Sequence, residues 1–203
     1  MNDSLDGSQL TNERERFFAS LLANPLVRTI LQRMPELGLE NCYLTAGGVF
    51  QTVWNVLTGR DPQEGVKDYD VFYFDSGDLS YEAEDAVIKR ASHLFSDVPA
   101  MIEVRNEARV HLWYEKKFGV PARPFTSSED AIDHFAATTC RYGVTVASDG
   151  ALRVYAPHGF HDLFALIVRP NPVLAPREVY EAKTARWREE WPSLSILPWP
   201  TTR

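Results

Sequence analysis

Apolar residues recur at helical spacing near the start of the chain and predict two short helices. The first runs from Thr11 to Ala23, and Asn24-Pro25 ends it. The second follows directly and stops near Pro35. Residues 1–10 are polar and acidic, and we expect them to be loosely ordered.

Extended and helical patterns alternate in the next hundred residues. The run Cys42–Thr45 ends at Gly47-Gly48, and apolar residues then recur at helical spacing up to Leu57. The runs 68–74 and 101–105 are rich in aromatic and β-branched residues, which favours strands. Further helices are predicted from Ser80 to Phe95, over 108–117 and from Ser127, where Asp130 completes a capping box. Such alternation is typical of a mixed α/β protein.

The last part of the chain predicts a hairpin and helices. The predicted elements are strands over 143–147 and 152–156, a helix near 162–168, a last helix from Pro176 through Trp191, and an irregular tail from Pro192. We expect a single domain over 1–203, in which residues from about 120 onward form a C-terminal extension packed on the core.

Two aspartates begin the second predicted strand. Asp68 and Asp70 are two positions apart, so their side chains share one face of the strand, while Tyr69 takes the other. Two close carboxylates repel each other unless a proton or a cation lies between them. Glu103, on the next strand, adds a third carboxylate among apolar neighbours. Oxygen ligands on rigid strands suit magnesium, with manganese as a substitute, and three acids could hold two ions.

The turn Gly47-Gly48 lies between a strand and a helix. Glycines there let backbone amides approach phosphate, and a helix start favours negative charge. A phosphate cradle beside a metal-binding strand is what transfer from a nucleoside triphosphate requires.

Composition narrows the possible partners. The 203 residues are 44% hydrophobic and 24% charged, with a formal net charge of -7. That charge argues against an extended nucleic-acid-binding surface. No stretch is apolar for long enough to cross a membrane. Cys42 and Cys140 are isolated thiols without metal-ligand spacing, which predicts a reduced, cytoplasmic setting.

Together these motifs resemble the DNA polymerase beta-type nucleotidyltransferase superfamily. More narrowly, the chain resembles a bacterial nucleotidyltransferase-like family of undefined substrate. The matching segments are 46–48, 68–70 with 74–75, Val104–Glu115, Ala156–Phe164 and Arg169–Pro172. One departure is the stretch 49–67, which is longer than the usual gap between the glycine turn and the acid pair.

The resemblance implies a fold and a reaction. The fold would be a nucleotidyltransferase-type mixed sheet flanked by helices, with the C-terminal hairpin and helices packed on or beside it. A nucleoside monophosphate would move from a triphosphate to an acceptor hydroxyl on a small molecule, a protein or an RNA end. Asp68, Asp70 and Glu103 would be catalytic metal ligands. Gly47 and Gly48 would receive phosphates.

Several neighbouring residues have both a functional and a structural interpretation. Arg105 and Arg109 could bind nucleotide phosphates, or Arg105 could pair with a site acid and Arg109 with a surface carboxylate. We expect His111 to be structural, Asp162 to stabilise a helix start, and Trp187 with Trp191 to pack in the core or a lid. Asp75 and Asp78 are interpreted as loop and turn residues.

Three other functions use similar motifs. Haloacid-dehalogenase-type phosphatases place the apolar run before the acid pair, whereas here it follows. Glycosyltransferases with an Asp-x-Asp pair usually need a larger domain. The remaining alternative is a nucleotidyltransferase fold that acts as a binding or regulatory module with little turnover.

Overall fold

A mixed five-stranded sheet lies at the centre of the computed structural model, which describes residues 7–201. The strands are β1 (Tyr43–Thr45), β2 (Asp68–Tyr73), β3 (Met101–Asn106), β4 (Gly143–Val146) and β5 (Leu152–Tyr155). Their order is β3-β2-β1-β4-β5, with β2 and β3 parallel and the other neighbours antiparallel. The mixed sheet flanked by helices agrees with the sequence prediction.

Helices surround this sheet. The α-helices are α1 (Gly7–Leu21), α2 (Pro25–Arg33), α3 (Gly47–Leu57), α4 (Tyr81–Leu94), α5 (Tyr114–Phe118), α6 (Ser128–Ile132), α7 (His161–Phe164) and α8 (Arg177–Glu190). Short 3₁₀ helices cover Met34–Leu37, Glu107–Leu112 and Thr138–Cys140. Helix α1 begins earlier than predicted, so residues 7–10 are helical rather than loose, and 1–6 lie outside the described residues.

A buried polar network fixes the back of β2. Asn24 accepts hydrogen bonds from the backbone N–H groups of Leu26 and Val27 and so caps α2. Its amide nitrogen donates to the hydroxyl oxygens of Thr52 on α3 and Tyr69 on β2, both at 3.0 Å. Since Tyr69 is held on the core side, the aspartates flanking it are presented on the opposite face of the strand.

The predicted helix over 108–117 is wrong in detail. The structure divides it into the 3₁₀ helix Glu107–Leu112 and the short helix α5, because Trp113 leaves helical geometry at φ -130° and ψ -16°. Asn106 caps the first part by accepting a hydrogen bond from the N–H of Ala108 at 3.1 Å.

Two C-terminal predictions also need correction. The helix expected near 162–168 ends at Phe164, because Leu166 adopts a left-handed φ of 55°. The chain then forms β6 (Ile167–Val168), which pairs in parallel with β7 (Ser195–Ile196). Strand β7 lies inside the tail that was predicted to be irregular. Pairing between such distant segments leaves no local periodicity to detect.

The predicted C-terminal hairpin is confirmed. The hairpin forms as β4 and β5, and β4 pairs with β1, so the hairpin extends the central sheet. Cys42 and Cys140 are both buried free thiols. Among residues 7–201, no helix combines the length and apolarity needed to cross a bilayer.

Candidate active site

The predicted acids come together on one face of the sheet. On β2, Tyr69 and Val71 are buried in the core, whereas Asp68 and Asp70 face the other side. On the parallel strand β3, Glu103 is the register partner of Asp70. Tertiary structure therefore places Glu103 beside the pair.

Asp70 lies in a strongly unfavourable environment for negative charge. Burial, followed by repulsion from Asp68 and Glu103, raises its pKa to about 7, although Lys183 and Arg105 oppose the shift. A carboxyl in this position gains from a proton or a cation.

Glu107 is a second acid of this kind, and sequence analysis did not single it out. It begins the 3₁₀ helix after β3, is 5% exposed and lines the same cavity as Asp70. Burial and the charge of Asp70 raise its pKa to about 8. The signal that could have revealed Glu107 is an acidic residue among buried positions, within the segment 104–115.

The two arginines proposed as phosphate ligands both form ion pairs in the structure. Arg105 lies 3.3 Å from Glu103, measured between Nη2 and Oε2, and half of its side chain is exposed. Arg109 forms a largely buried ion pair with Glu84 and donates to the carbonyl oxygen of Leu79 at 3.1 Å. Arg105 thus pairs with a site acid, as its structural interpretation expected. Arg109 also pairs with a carboxylate, but that partner, Glu84, is largely buried rather than at the surface.

The two glycines of the turn have different surroundings. A Cβ on Gly48 would lie 2.7 Å from the ring of Tyr69, so only glycine lets α3 pack this closely on β2. Gly47 lines a cavity in front of the acids. Ala46, just before the helix, has a strained φ of 54° and ψ of -140°. The helix start thus faces the acid pair, with its first N–H groups free of intrahelical acceptors.

Two cavities adjoin at Asp70. The first cavity, about 360 Å³, lies between the start of α3 and helix α8, and its walls include Gly47, Asp68 and Trp187. The second cavity, about 580 Å³, lies over β3 and the segment after it, and its walls include Glu103 and Glu107. Ala46, Asp70, Lys117, Phe135, Ala136 and Lys183 line both cavities.

Basic side chains surround the first cavity. They are Lys67, Lys117, Lys183 and Arg186. Within the described part of the chain, none of them forms an ion pair with a carboxylate. Lys117 instead lies over the rings of Trp113 and Phe118, at 5.4 and 5.3 Å. None of the four was predicted from the sequence: Lys183 and Arg186 come from α8, far from the acids in sequence, whereas Lys67 directly precedes Asp68.

The other residues with two interpretations make structural contacts. Trp187 and Trp191 are 2% exposed and pack edge-on against Trp54, and Trp191 donates to Asn55 at 2.8 Å. Asp162 accepts from Arg169 at 2.9 Å, an ion pair rather than a helix-dipole contact alone.

Three residues near the site acids in sequence are not part of the cluster. The oxygens of Asp75 and Asp78 accept backbone hydrogen bonds in turns, as predicted. The Nδ1 atom of His111 is buried without a hydrogen-bond partner among the described residues.

The acids suit magnesium by their chemistry. In residues 7–201, no group of three or more His, Cys, Asp or Glu side chains is arranged as a metal cage. Magnesium sites in transferases, however, use one or two carboxylates and complete the shell with substrate phosphate and water. The raised pKa of Asp70 beside Asp68 marks negative charge that a divalent cation would stabilise.

Fold and site together indicate a transferase that handles nucleotides. The chain belongs to the nucleotidyltransferase family, because the family model described as "Nucleotidyltransferase" matches residues 32–196. It is also similar to a protein whose NMR structure is described as revealing a CCA-adding enzyme head domain. The two are 26% identical, with a TM-score of 0.72, over 90% of this chain and 95% of the other. No curated protein sequence matches the chain.

Proposed function

We propose that the protein transfers a nucleoside monophosphate from a nucleoside triphosphate to an acceptor hydroxyl, in a reaction that depends on magnesium. The observation that carries this proposal is the position of Asp70. It is buried among like charges, lies opposite Glu103, and lines both cavities beside the start of α3. One cavity can receive the donor and the other the acceptor, with the acids between them.

The first cavity suits the triphosphate. Its unpaired basic side chains supply positive charge, and Gly47 leaves room at a helix start for phosphate oxygens. Lys183 reaches the neighbourhood of Asp70 from α8, where it can hold a phosphate without a competing carboxylate partner.

Asp68, Asp70 and Glu103 would hold magnesium, or manganese in its place. The bound ion would favour the deprotonated acceptor oxygen and neutralise charge on the phosphates. The side chains of the site orient the acceptor oxygen toward the α-phosphorus, and a site carboxylate takes the proton of the acceptor hydroxyl. The new bond from that oxygen to the α-phosphorus forms as the bond from the α-phosphorus to pyrophosphate breaks. Arg105 holds Glu103 on the sheet face, at 3.3 Å.

A binding or regulatory module remains the second candidate, because Glu103 is partly neutralised by Arg105. Fluorescent triphosphate binding, measured with and without magnesium, separates the two candidates. We expect magnesium to strengthen binding to the wild type and to have little effect on Asp70→Asn. Equal binding by both proteins, without a magnesium effect, contradicts the catalytic proposal.

The acceptor can be sought directly. The protein is incubated with each α-labelled triphosphate, magnesium and a cell extract, and the labelled product is located. Asp75→Asn is a matched control, since Asp75 is an exposed turn residue. We expect a product with the wild type and with Asp75→Asn but a loss of at least about a hundredfold with Asp70→Asn. Product formation by Asp70→Asn at the wild-type rate contradicts the assignment.

A further inference from the structure

We propose that the second cavity is the acceptor site, and that it takes a small molecule with a flat apolar body and a hydrogen-bond-donating hydroxyl or ammonium group facing Glu107. This inference rests on the proposed function and names the acceptor class. The cavity adjoins Asp70, so a molecule held there has its polar end beside the reacting phosphate.

The size of the second cavity fits a small molecule. Its volume of about 580 Å³ lies in the range of ligand pockets, roughly 300–1,000 Å³. An RNA end would require a basic track for its backbone, whereas the four arginine and lysine side chains here are accompanied by four carboxylates. The net charge of -7 makes that acceptor still less favourable.

Seven of the residues that line the second cavity are aromatic. Those aromatic side chains are Phe72, Tyr81, Trp113, Tyr114, Phe118, Phe125 and Phe135. Tyr114 and Phe125 belong to a small hydrophobic cluster that is separate from the main core, so this wall has its own support. Trp113 is 42% exposed although it is a large apolar residue, and its ring lies 5.9 Å from that of Tyr114. Exposed aromatic surface facing a cavity favours a flat ligand.

Glu107 determines which polar group a ligand of the second cavity must carry. The other two carboxylates on β3 and α4 that line the cavity already have arginine partners, in Glu103–Arg105 and Glu84–Arg109. Glu107 is 5% exposed and lines the cavity, and its carboxyl group takes part in no hydrogen bond or ion pair with the other described side chains. Its oxygens are not among the fully enclosed side-chain atoms without a partner, so they are open to the cavity. A buried carboxyl group without a partner is costly, and a ligand donor relieves that cost. A ligand carboxylate would add a further negative charge beside Asp70.

Three compounds with a common body test this inference by saturation-transfer NMR: 2-phenylethanol, 2-phenylethylamine and phenylacetate. Each is added to the full chain with magnesium and a non-hydrolysable triphosphate at about pH 9, where Glu107, whose pKa is about 8, is ionised. We expect the alcohol or the amine to bind at least about tenfold more tightly than phenylacetate. A preference for the alcohol identifies a hydroxyl at Glu107, and a preference for the amine identifies an ammonium group. Equal binding of all three contradicts the role of Glu107.

Three variants locate the binding. Glu107→Gln should remove most of the discrimination against phenylacetate. Trp113→Ala should weaken all probes about fivefold through lost stacking, with little effect on folding because Trp113 is partly exposed. Leu112→Ala is the matched control, since Leu112 is 55% exposed and does not line the cavity. Unchanged binding by Trp113→Ala contradicts the site.

A fluorescent triphosphate in the same samples separates the two proposals. If nucleotide binding depends on magnesium but none of the probes binds, the acceptor inference is wrong and the proposed nucleotidyl transfer is unaffected. Loss of nucleotide binding overturns the proposed function instead. A single-stranded RNA that displaces the probes, and binds more weakly to Trp113→Ala, overturns the small-molecule class.

Discussion

Two aspartates in neighbouring parts of the molecule have opposite pKa shifts. Asp70, on β2, has a pKa of about 7 because it is buried beside two other acids. Asp130, on α6, has a pKa of about 2, mainly because Arg123 donates to it at 2.7 and 2.8 Å, while the backbone N–H of Thr126 adds a third bond.

The two aspartates differ in burial and in partners: burial is the largest cause of the raised pKa of Asp70, and hydrogen bonds from Arg123 are the largest cause of the lowered pKa of Asp130. Arg123 and Thr126 satisfy the charge of Asp130 within the chain, so this acid stabilises the fold. No arginine forms an ion pair with Asp70 within the described residues, and the carboxylates of Asp68 and Glu103 repel its charge. A buried carboxyl group that is repelled by its neighbours lowers the stability of the fold. Proteins keep such groups at sites where a bound ligand relieves the repulsion. Asp130 therefore stabilises the fold through bonds within the chain, whereas Asp70 carries a charge that a bound ligand can neutralise.

The largest expected effect is on stability as a function of pH. Since the pKa of Asp70 in the fold is raised, the folded chain binds more protons than the unfolded chain, and stability falls as pH rises from about 4 to about 7. Asp70→Asn avoids this loss. Without metal, its advantage over wild type should grow by about 3 kcal/mol between about pH 5 and about pH 8. Urea unfolding at both pH values measures it; a constant difference contradicts the assignment.

Removing Asp130 should have the opposite sign. Asp130→Ala loses the bonds from Arg123 and Thr126, and we expect a loss of about 2 kcal/mol at neutral pH. The pKa of Asp130 is lowered, so its contribution is present above about pH 4 and disappears as pH falls toward about 2. Urea unfolding measures the free energy of unfolding of Asp130→Ala and of a control, Glu181→Ala. Glu181 is a suitable control because it forms an exposed ion pair with Arg177 on the same helix. Equal effects of the two substitutions would show that the network around Asp130 adds nothing.

A basic residue without a partner should matter for binding. Lys183→Ala removes positive charge beside Asp70 and from the first cavity, and we expect about tenfold weaker triphosphate binding, about 1.4 kcal/mol. Arg188→Ala, on the same helix but outside both cavities, is the control. Fluorescence titration checks this, and equal affinities of the two variants would remove Lys183 from the site.

The smallest effect on stability belongs to Glu103. Its pair with Arg105 is well exposed, so Glu103→Gln should change the free energy of unfolding by less than about 0.5 kcal/mol. Magnesium binding should nevertheless weaken, because a site carboxylate is lost. Denaturation and magnesium titration test the two parts separately. A large loss of stability, with magnesium affinity intact, assigns Glu103 a structural role.

The parts of the site that depend on local pattern could be predicted from the sequence. Alternation along β2 placed Asp68 and Asp70 on one face, and the structure agrees. The glycine turn was expected as a phosphate cradle, and the structure adds that Gly48 is required for packing against Tyr69. Strands β6 and β7 were missed because each is two residues long and has no period to detect.

Partners in space could not be predicted in the same way. Arg109 was expected to meet phosphate or a surface acid, whereas it pairs with Glu84 on α4. Lys183 and Arg186 reach the first cavity from α8, and Glu107 enters the second through the 3₁₀ helix after β3. Each of these contacts depends on how elements pack rather than on residue spacing.

The sequence by itself determined the elements and the facing of the acid pair, since the two-residue period of a strand decides which side chains share a face. Only the tertiary structure decided which charges are neutralised. Arg123 reaches Asp130, and no arginine or lysine forms an ion pair with Asp70 within residues 7–201. The energy of a carboxylate depends on the charges and solvent around it, and those are fixed when distant segments pack together.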